Sequence, residues 1–181
     1  METTGAILLR KTKLSETSLI ITWWTERFGK LKTVAKGARR PKSSFAGKLD
    51  LFFDAEIQFA RSHKSELHML REVAVKNPHE GLRRTLNNLE LASYFVELIE
   101  LVTEPEHAAP ELYDLLQRAF RYLSSHSGGK RELLHFESEI ARFLGIGTEE
   151  RSPYQAIGHA YGRLPRLREE ILDRLAKQSP P

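Results

Sequence analysis

Five short segments with a two-residue hydrophobic period, followed by segments with a helical period, predict an α+β chain built as two domains. Residues 1–77 form a small β-barrel, and residues 78–181 form an all-α domain. Three observations carry this expectation. The hydrophobic period changes once, at the strand-breaking pair Asn77-Pro78. Charge divides at the same place: residues 1–76 hold 15 Lys and Arg against 8 Asp and Glu, a balance of +7, whereas residues 77–181 hold 13 against 16, a balance of −3. Finally, five strands in so short a length have exposed edges unless the sheet closes on itself.

The strands follow one another from the N-terminus. Thr4–Leu14 contains Ala6-Ile7-Leu8-Leu9, and Ser18–Thr25 ends its apolar run in Trp23-Trp24. Glu26-Arg27-Phe28-Gly29 reads as a tight hairpin connection into Lys30–Lys36. Phe53, Ala55, Ile57 and Phe59 alternate with Asp54, Glu56 and Gln58 in a fourth strand. Arg61–Ser65 is a polar turn into the fifth, Leu67–Val75. The five-stranded OB barrel matches in strand number and in charge.

From Glu80 the pattern is helical. Leu82, Leu86, Leu89 and Ala92 begin a stripe that thickens through Phe95, Leu98 and Val102, with Glu97, Glu100 and Glu104 on the wet side. Pro110 suits the first turn of a second helix, which ends before a loop at 124–129. A third helix carries Leu133, Phe136, Ile140 and Leu144, and Gly145 is its C-cap. Beyond a polar stretch near Ser152-Pro153, a last helix runs from about Leu164 to Lys177, and Ser179-Pro180-Pro181 frays.

The strongest functional signal lies between Gly29 and Lys48. This run has seven positive charges (Lys30, Lys32, Lys36, Arg39, Arg40, Lys42 and Lys48) and no negative one. Along the strand the lysines fall opposite Leu31, Thr33 and Ala35. Along the loop that follows, a pair of adjacent arginines sits on a backbone that glycine makes flexible. A cationic strand face beside a cationic loop suits a phosphate backbone, with protection of a sheet edge as the plainer alternative. Two aromatics are base-stacking candidates. Phe45 lies within the basic loop, where it either stacks a base or anchors the loop. Trp24 points away from Trp23, which belongs in the barrel; it either stacks a base or packs against the helical domain.

Catalytic chemistry is not evident. The chain has no cysteine, which excludes disulfides, thiolate zinc sites and cysteine nucleophiles. Its seven histidines have no metal-ligand spacing, and most read as solvated loop or helix-surface residues. Gly145-Ile146-Gly147 follows a helix and precedes two glutamates, so it is a helix stop and no dinucleotide loop. No catalytic residue, cofactor or metal is expected. No early apolar run escapes Lys11 and Lys13, and no stretch approaches the roughly 20 apolar residues of a membrane span, so the expected location is the cytoplasm.

Several stretches carry a resemblance to a known family. Gly5-Ala6-Ile7-Leu8-Leu9, Ser15-Glu16-Thr17-Ser18, Phe28-Gly29-Lys30-Leu31 and above all Val34-Ala35-Lys36-Gly37-Ala38-Arg39-Arg40-Pro41-Lys42-Ser43 resemble the bacterial recombination mediators of the RecO family. The likeness continues more loosely through Leu91–Tyr94 and Phe136-Glu137 to Leu144-Gly145. It implies an N-terminal OB barrel joined to a helical domain. It also implies binding of single- and double-stranded DNA and annealing of complementary strands. Action with RecR follows, to load the RecA recombinase onto strands coated by single-stranded-DNA-binding protein, whose acidic tail such proteins contact. Among the residues here it points to Lys36, Arg39, Arg40 and Lys42 as DNA contacts, in a nucleoid-associated protein.

The departures matter as well. Many members of that family carry a four-cysteine zinc module after the Leu-Gly, where this chain has Thr148–Pro153. The acidic tail needs an apolar pocket with a cationic rim, for which Arg83, Arg84, Arg118 and Arg121 are available. Two further readings stand beside the mediator: a protein–protein adaptor with a residual barrel and little DNA activity, and an enzyme acting on nucleic acid.

Overall fold

The computed structural model describes residues 1–147, 149–162 and 164–178. Its first half contains strands β1 (Glu2–Lys13), β2 (Leu19–Thr25), β3 (Gly29–Ala35), β4 (Asp54–Ala60) and β5 (Leu67–Asn77). They close in the order β1-β2-β3-β5-β4, so the expected OB-like barrel is present. Closure relies on two non-sequential seams. Antiparallel β1–β4 pairing runs from Glu2↔Phe59 to Ile7↔Asp54. A short parallel seam joins Lys32, Thr33 and Val34 to Leu67, His68 and Met69.

Strand alternation fills the interior. Ala6 and Leu8, Ile21 and Trp23, Leu31 and Ala35, and Ile57 and Phe59 all point into one buried cluster, joined by Leu70 and Val73 from either side of a register shift in β5. A register shift between Leu8 and Arg10 bends β1, and beyond it Arg10 and Thr12 pair with Thr22 and Ile20 on the outer side.

The chain separates into two compact units, Met1–His79 with Thr103–Tyr113, and Glu80–Val102 with Asp114–Pro181. A single cut at Pro78 therefore misses one feature: Thr103–Tyr113 returns to the barrel. The Glu106 amide donates to the Lys30 carbonyl at 2.9 Å, and Lys30 pairs with Pro105 in a parallel bridge. This segment occupies the part of the β3 edge that β5 does not reach. Glu106 then accepts from Arg61 at 2.9 Å and lies 3.1 Å from His68 Nε2. His68 Nδ1 accepts from the Ser62 amide, and its ring stacks on Phe59. Both His68 and His79 are buried, so these two depart from the surface placement expected of most of the histidines.

The helices are α1 (Leu86–Val102), α2 (Pro110–Ser125), α3 (Lys130–Leu144), α4 (Pro153–Tyr161) and α5 (Leu167–Gln178), preceded by a 3-10 turn at Glu80–Arg83; all belong to the helical unit except the first turn of α2, up to Tyr113. Pro110 opens α2 as expected. Gly145 ends α3 with φ 65°, and its amide returns to the Arg142 carbonyl. Helix α4 replaces the expected polar stretch. Its signature was readable: Ser152 and Gln155 form a capping box, and Pro153 sits in the first turn.

Phe95 and Phe136 stack at 4.0 Å in the core of this unit. Buried Glu137 ties the helices together: it accepts from the Tyr94 hydroxyl at 2.7 Å and from Arg168 at 2.6 and 3.2 Å. Arg168 in turn lies over the Tyr154 ring. The expected frayed end, Ser179–Pro181, lies outside the described residues.

Candidate nucleic-acid interface

The expected lysine row holds on β3, with one change. Leu31, Thr33 and Ala35 are buried and Lys32 is exposed, as the alternation requires. Lys30, however, is half-buried and donates from Nζ to the Thr103 carbonyl at 2.9 Å. It anchors the returning segment and is withdrawn as a DNA contact.

The basic loop is more ordered than its glycines suggest. Successive turns bring the Arg40 amide to the Gly37 carbonyl, Ser43 to Arg40, Ala46 to Ser43, and Lys48 to Phe45, at 3.0–3.1 Å. Phe45 is only 7% exposed and belongs to the barrel core, so the anchoring alternative is correct and the stacking one is not. Burying an aromatic removes apolar area from water and gives the loop a fixed centre. Trp24 is fully buried and also offers no ring face to a base.

With its aromatic turned inward, the loop turns its cations outward. Lys36, Arg39, Arg40, Lys42 and Lys48 are all exposed. The sheet adds a cation that the linear run does not contain. Arg10 on β1 pairs with Thr22 on β2, which pairs with Lys32 on β3. Arg10 and Lys32 thus flank one threonine, about 10 Å apart by strand spacing. Arg10 is distant in sequence and follows a bulge, so only the register reveals it. Acids border this surface as well: Glu16 pairs with Lys13, Asp50 accepts from Lys11 at 2.6 Å, and Glu56 and Glu72 line a hollow with Lys48.

The helical unit has a cleft of its own, about 530 Å³ in volume. Phe95, Leu115, Leu123 and Phe136 form its apolar lining, and Arg118, Arg131, His135 and Glu132 bring polar and charged groups to it; Arg118 also donates to Asp114 at 2.7 Å. Of the four arginines expected at such a rim, only Arg118 lines the cleft; Arg83, Arg84 and Arg121 do not. Arg131 takes their place, at the start of α3, opposite the α2 face that carries Arg118 and Tyr122.

The barrel, with its cationic loop, matches the sequence model described as Recombination protein O N terminal over residues 1–79. The model described as Recombination protein O C terminal matches residues 83–152. The chain belongs to the RecO family. Among similar proteins is the DNA repair protein RecO of Rhodopirellula baltica, 33% identical over 140 residues that make up 77% of this chain and 52% of that protein. The DNA repair protein RecO of Syntrophus aciditrophicus is 32% identical over 142 residues, 78% of this chain and 55% of that protein. That of Salinibacter ruber is 32% identical over 156 residues, 85% of this chain and 60% of that protein. The chain therefore spans little more than half the length of these relatives. Helices α4 and α5 lie beyond the segment matched by the C-terminal model. No described helix is long and apolar enough to cross a membrane.

Proposed function

We propose that this chain is a non-enzymatic DNA-binding recombination mediator, which binds single- and double-stranded DNA and anneals complementary strands. The observation that carries this reading is the outward set of Lys32, Lys36, Arg40, Lys42 and Lys48 around a loop whose aromatic is spent on anchoring. Arg10 extends that set across the sheet. Fixed cations exchange condensed counterions for protein contacts, so binding weakens as salt rises. Neutralising two backbones at once also lowers the repulsion between complementary strands. Since Phe45 and Trp24 are buried, contact by this loop is mainly to phosphate and depends little on base sequence.

The helical cleft supports the partner-binding side of the proposal. An acidic tail with an apolar end, such as that of single-stranded-DNA-binding protein, matches an apolar lining beside Arg118 and Arg131. Docking there would hold the barrel at coated strands. RecR is a further partner and RecA an indirect one, in a cytoplasmic, nucleoid-associated setting. The cleft equally supplies the one observation in favour of an adaptor with little DNA activity of its own.

Annealing of two complementary oligonucleotides, each precoated with the host's single-stranded-DNA-binding protein, tests the reading. Acceleration that fades with added salt is expected. Binding of the acidic tail without any DNA binding would favour the adaptor.

A further inference from the structure

Arg39 sits in the middle of the cationic loop and is exposed, yet its Nη1 is committed to backbone carbonyls of a neighbouring turn. Its Nη1 donates to the carbonyls of Ser15 at 3.2 Å and Glu16 at 3.1 Å, both in the turn between β1 and β2. Its own amide donates to the Thr17 carbonyl at 3.0 Å. Two residues earlier, the Gly37 amide donates to Ser18 Oγ at 3.3 Å. The receiving turn is itself closed, since Ser15 Oγ accepts from the Thr17 and Ser18 amides. The same guanidinium lies 3.9 Å from the Glu16 carboxylate, so some of its charge is already offset.

We infer that Arg39 is a positioning residue that clips the basic loop to the β1–β2 turn, and that its neighbours Lys36, Arg40 and Lys42 make the phosphate contacts. The inference rests on the DNA-binding reading above. Its chemical basis is the difference between the two basic side chains. A planar guanidinium holds its donors in a fixed fork and reaches adjacent carbonyls with little further loss of freedom, whereas an ammonium is a strongly hydrated point charge on a flexible stem. Two segments that are separate in sequence become one platform. Each flanking cation then meets a phosphate without first ordering its loop, a cost that otherwise comes out of the binding energy.

A salt series separates a clip from a phosphate contact. The full chain and its Arg39→Gln, Arg39→Lys and Arg40→Gln variants are titrated onto a labelled oligothymidylate at several salt concentrations. Loss of one phosphate contact from a single strand lowers the slope of log K against log salt by about 0.7. Arg40→Gln is expected to show that loss. Both Arg39 variants are expected to bind up to about tenfold more weakly, the scale of one or two net hydrogen bonds, with the slope unchanged. Recovery of affinity in Arg39→Lys, or a slope reduced in Arg39→Gln as in Arg40→Gln, would overturn the inference.

Amide hydrogen exchange in the DNA-free protein supplies the second readout. The Gly37 and Arg39 amides should exchange faster in both Arg39 variants, and unchanged protection would also overturn the clip. A wild-type chain that binds no DNA would sink the DNA reading instead. The clip would then be decided by exchange alone.

Discussion

Inside the barrel, the indole Nε1 of Trp23 donates to Thr33 Oγ1 on the neighbouring strand at 2.8 Å, and neither residue is exposed. The bond explains why a hydroxyl shares the inward parity of Leu31 and Ala35. Thr33→Val keeps the shape and removes the acceptor, leaving a buried indole N–H unpaired. Urea unfolding should show a loss of about 1–3 kcal/mol, and an unchanged midpoint would mean that the indole finds another partner.

Gly29 closes the β2–β3 hairpin with φ +67°, and a Cβ placed there would stand 2.0 Å from the His107 carbonyl oxygen. Gly29→Ala therefore combines left-handed strain with a backbone clash, and one of the two strands of chain must move. The expected result is destabilisation of at least about 1–3 kcal/mol and faster proteolytic cleavage within Thr103–Tyr113. Wild-type resistance to cleavage would show that the returning segment is held elsewhere.

Two buried tyrosines make the protein sensitive to alkali. Burial, reinforced by the Glu137 carboxylate, pushes the Tyr94 hydroxyl far above its ordinary value. Burial also raises Tyr113, with Asp54 and Glu26 adding to the effect. A raised native pKa means that the unfolded chain ionises first. Stability is therefore intact below about pH 10 and falls as pH rises above it. Each tyrosine contributes a slope of up to about 1.4 kcal/mol per pH unit there. Urea midpoints measured from pH 9 to 11 should fall accordingly, and less steeply in Tyr94→Phe.

In the helical cleft, Arg131 provides a rim charge outside the barrel's cationic surface. Arg131→Glu should weaken binding of the acidic tail peptide of single-stranded-DNA-binding protein by at least about tenfold while leaving naked-DNA binding intact. Fluorescence anisotropy with each ligand checks both halves. Equal loss of both would mean that the helical unit takes part in DNA contact.

The barrel was legible because its signals are local. Alternation placed Leu31, Thr33 and Ala35 inward and Lys32 outward, and the same rule assigned Trp23 to the interior. Helix ends with conventional chemistry, Pro110 and Gly145, were legible for the same reason. Helix α4 was missed although Ser152, Pro153 and Gln155 spell a capping signature, because its nine residues carry little periodicity. The site was less legible. Charge counting treats each cation in Gly29–Lys48 alike, yet Lys30 holds Thr103 and Arg39 holds Ser15 and Glu16. An acceptor offered by a distant backbone carbonyl leaves no mark in the linear pattern.

By itself, the amino-acid sequence determined the two-domain α+β architecture, the strand faces, the concentration of positive charge and the membership of the RecO family. Each follows from periods, caps, composition or stretches of consecutive residues. Tertiary structure alone decided that Phe45 is core, that Arg10 joins Lys32 across Thr22, that Thr103–Tyr113 returns to the barrel, and which cations are committed to backbone carbonyls. These depend on strand register and on contacts between segments far apart in the chain, where geometry rather than residue type decides whether a side chain meets solvent, core or a carbonyl oxygen.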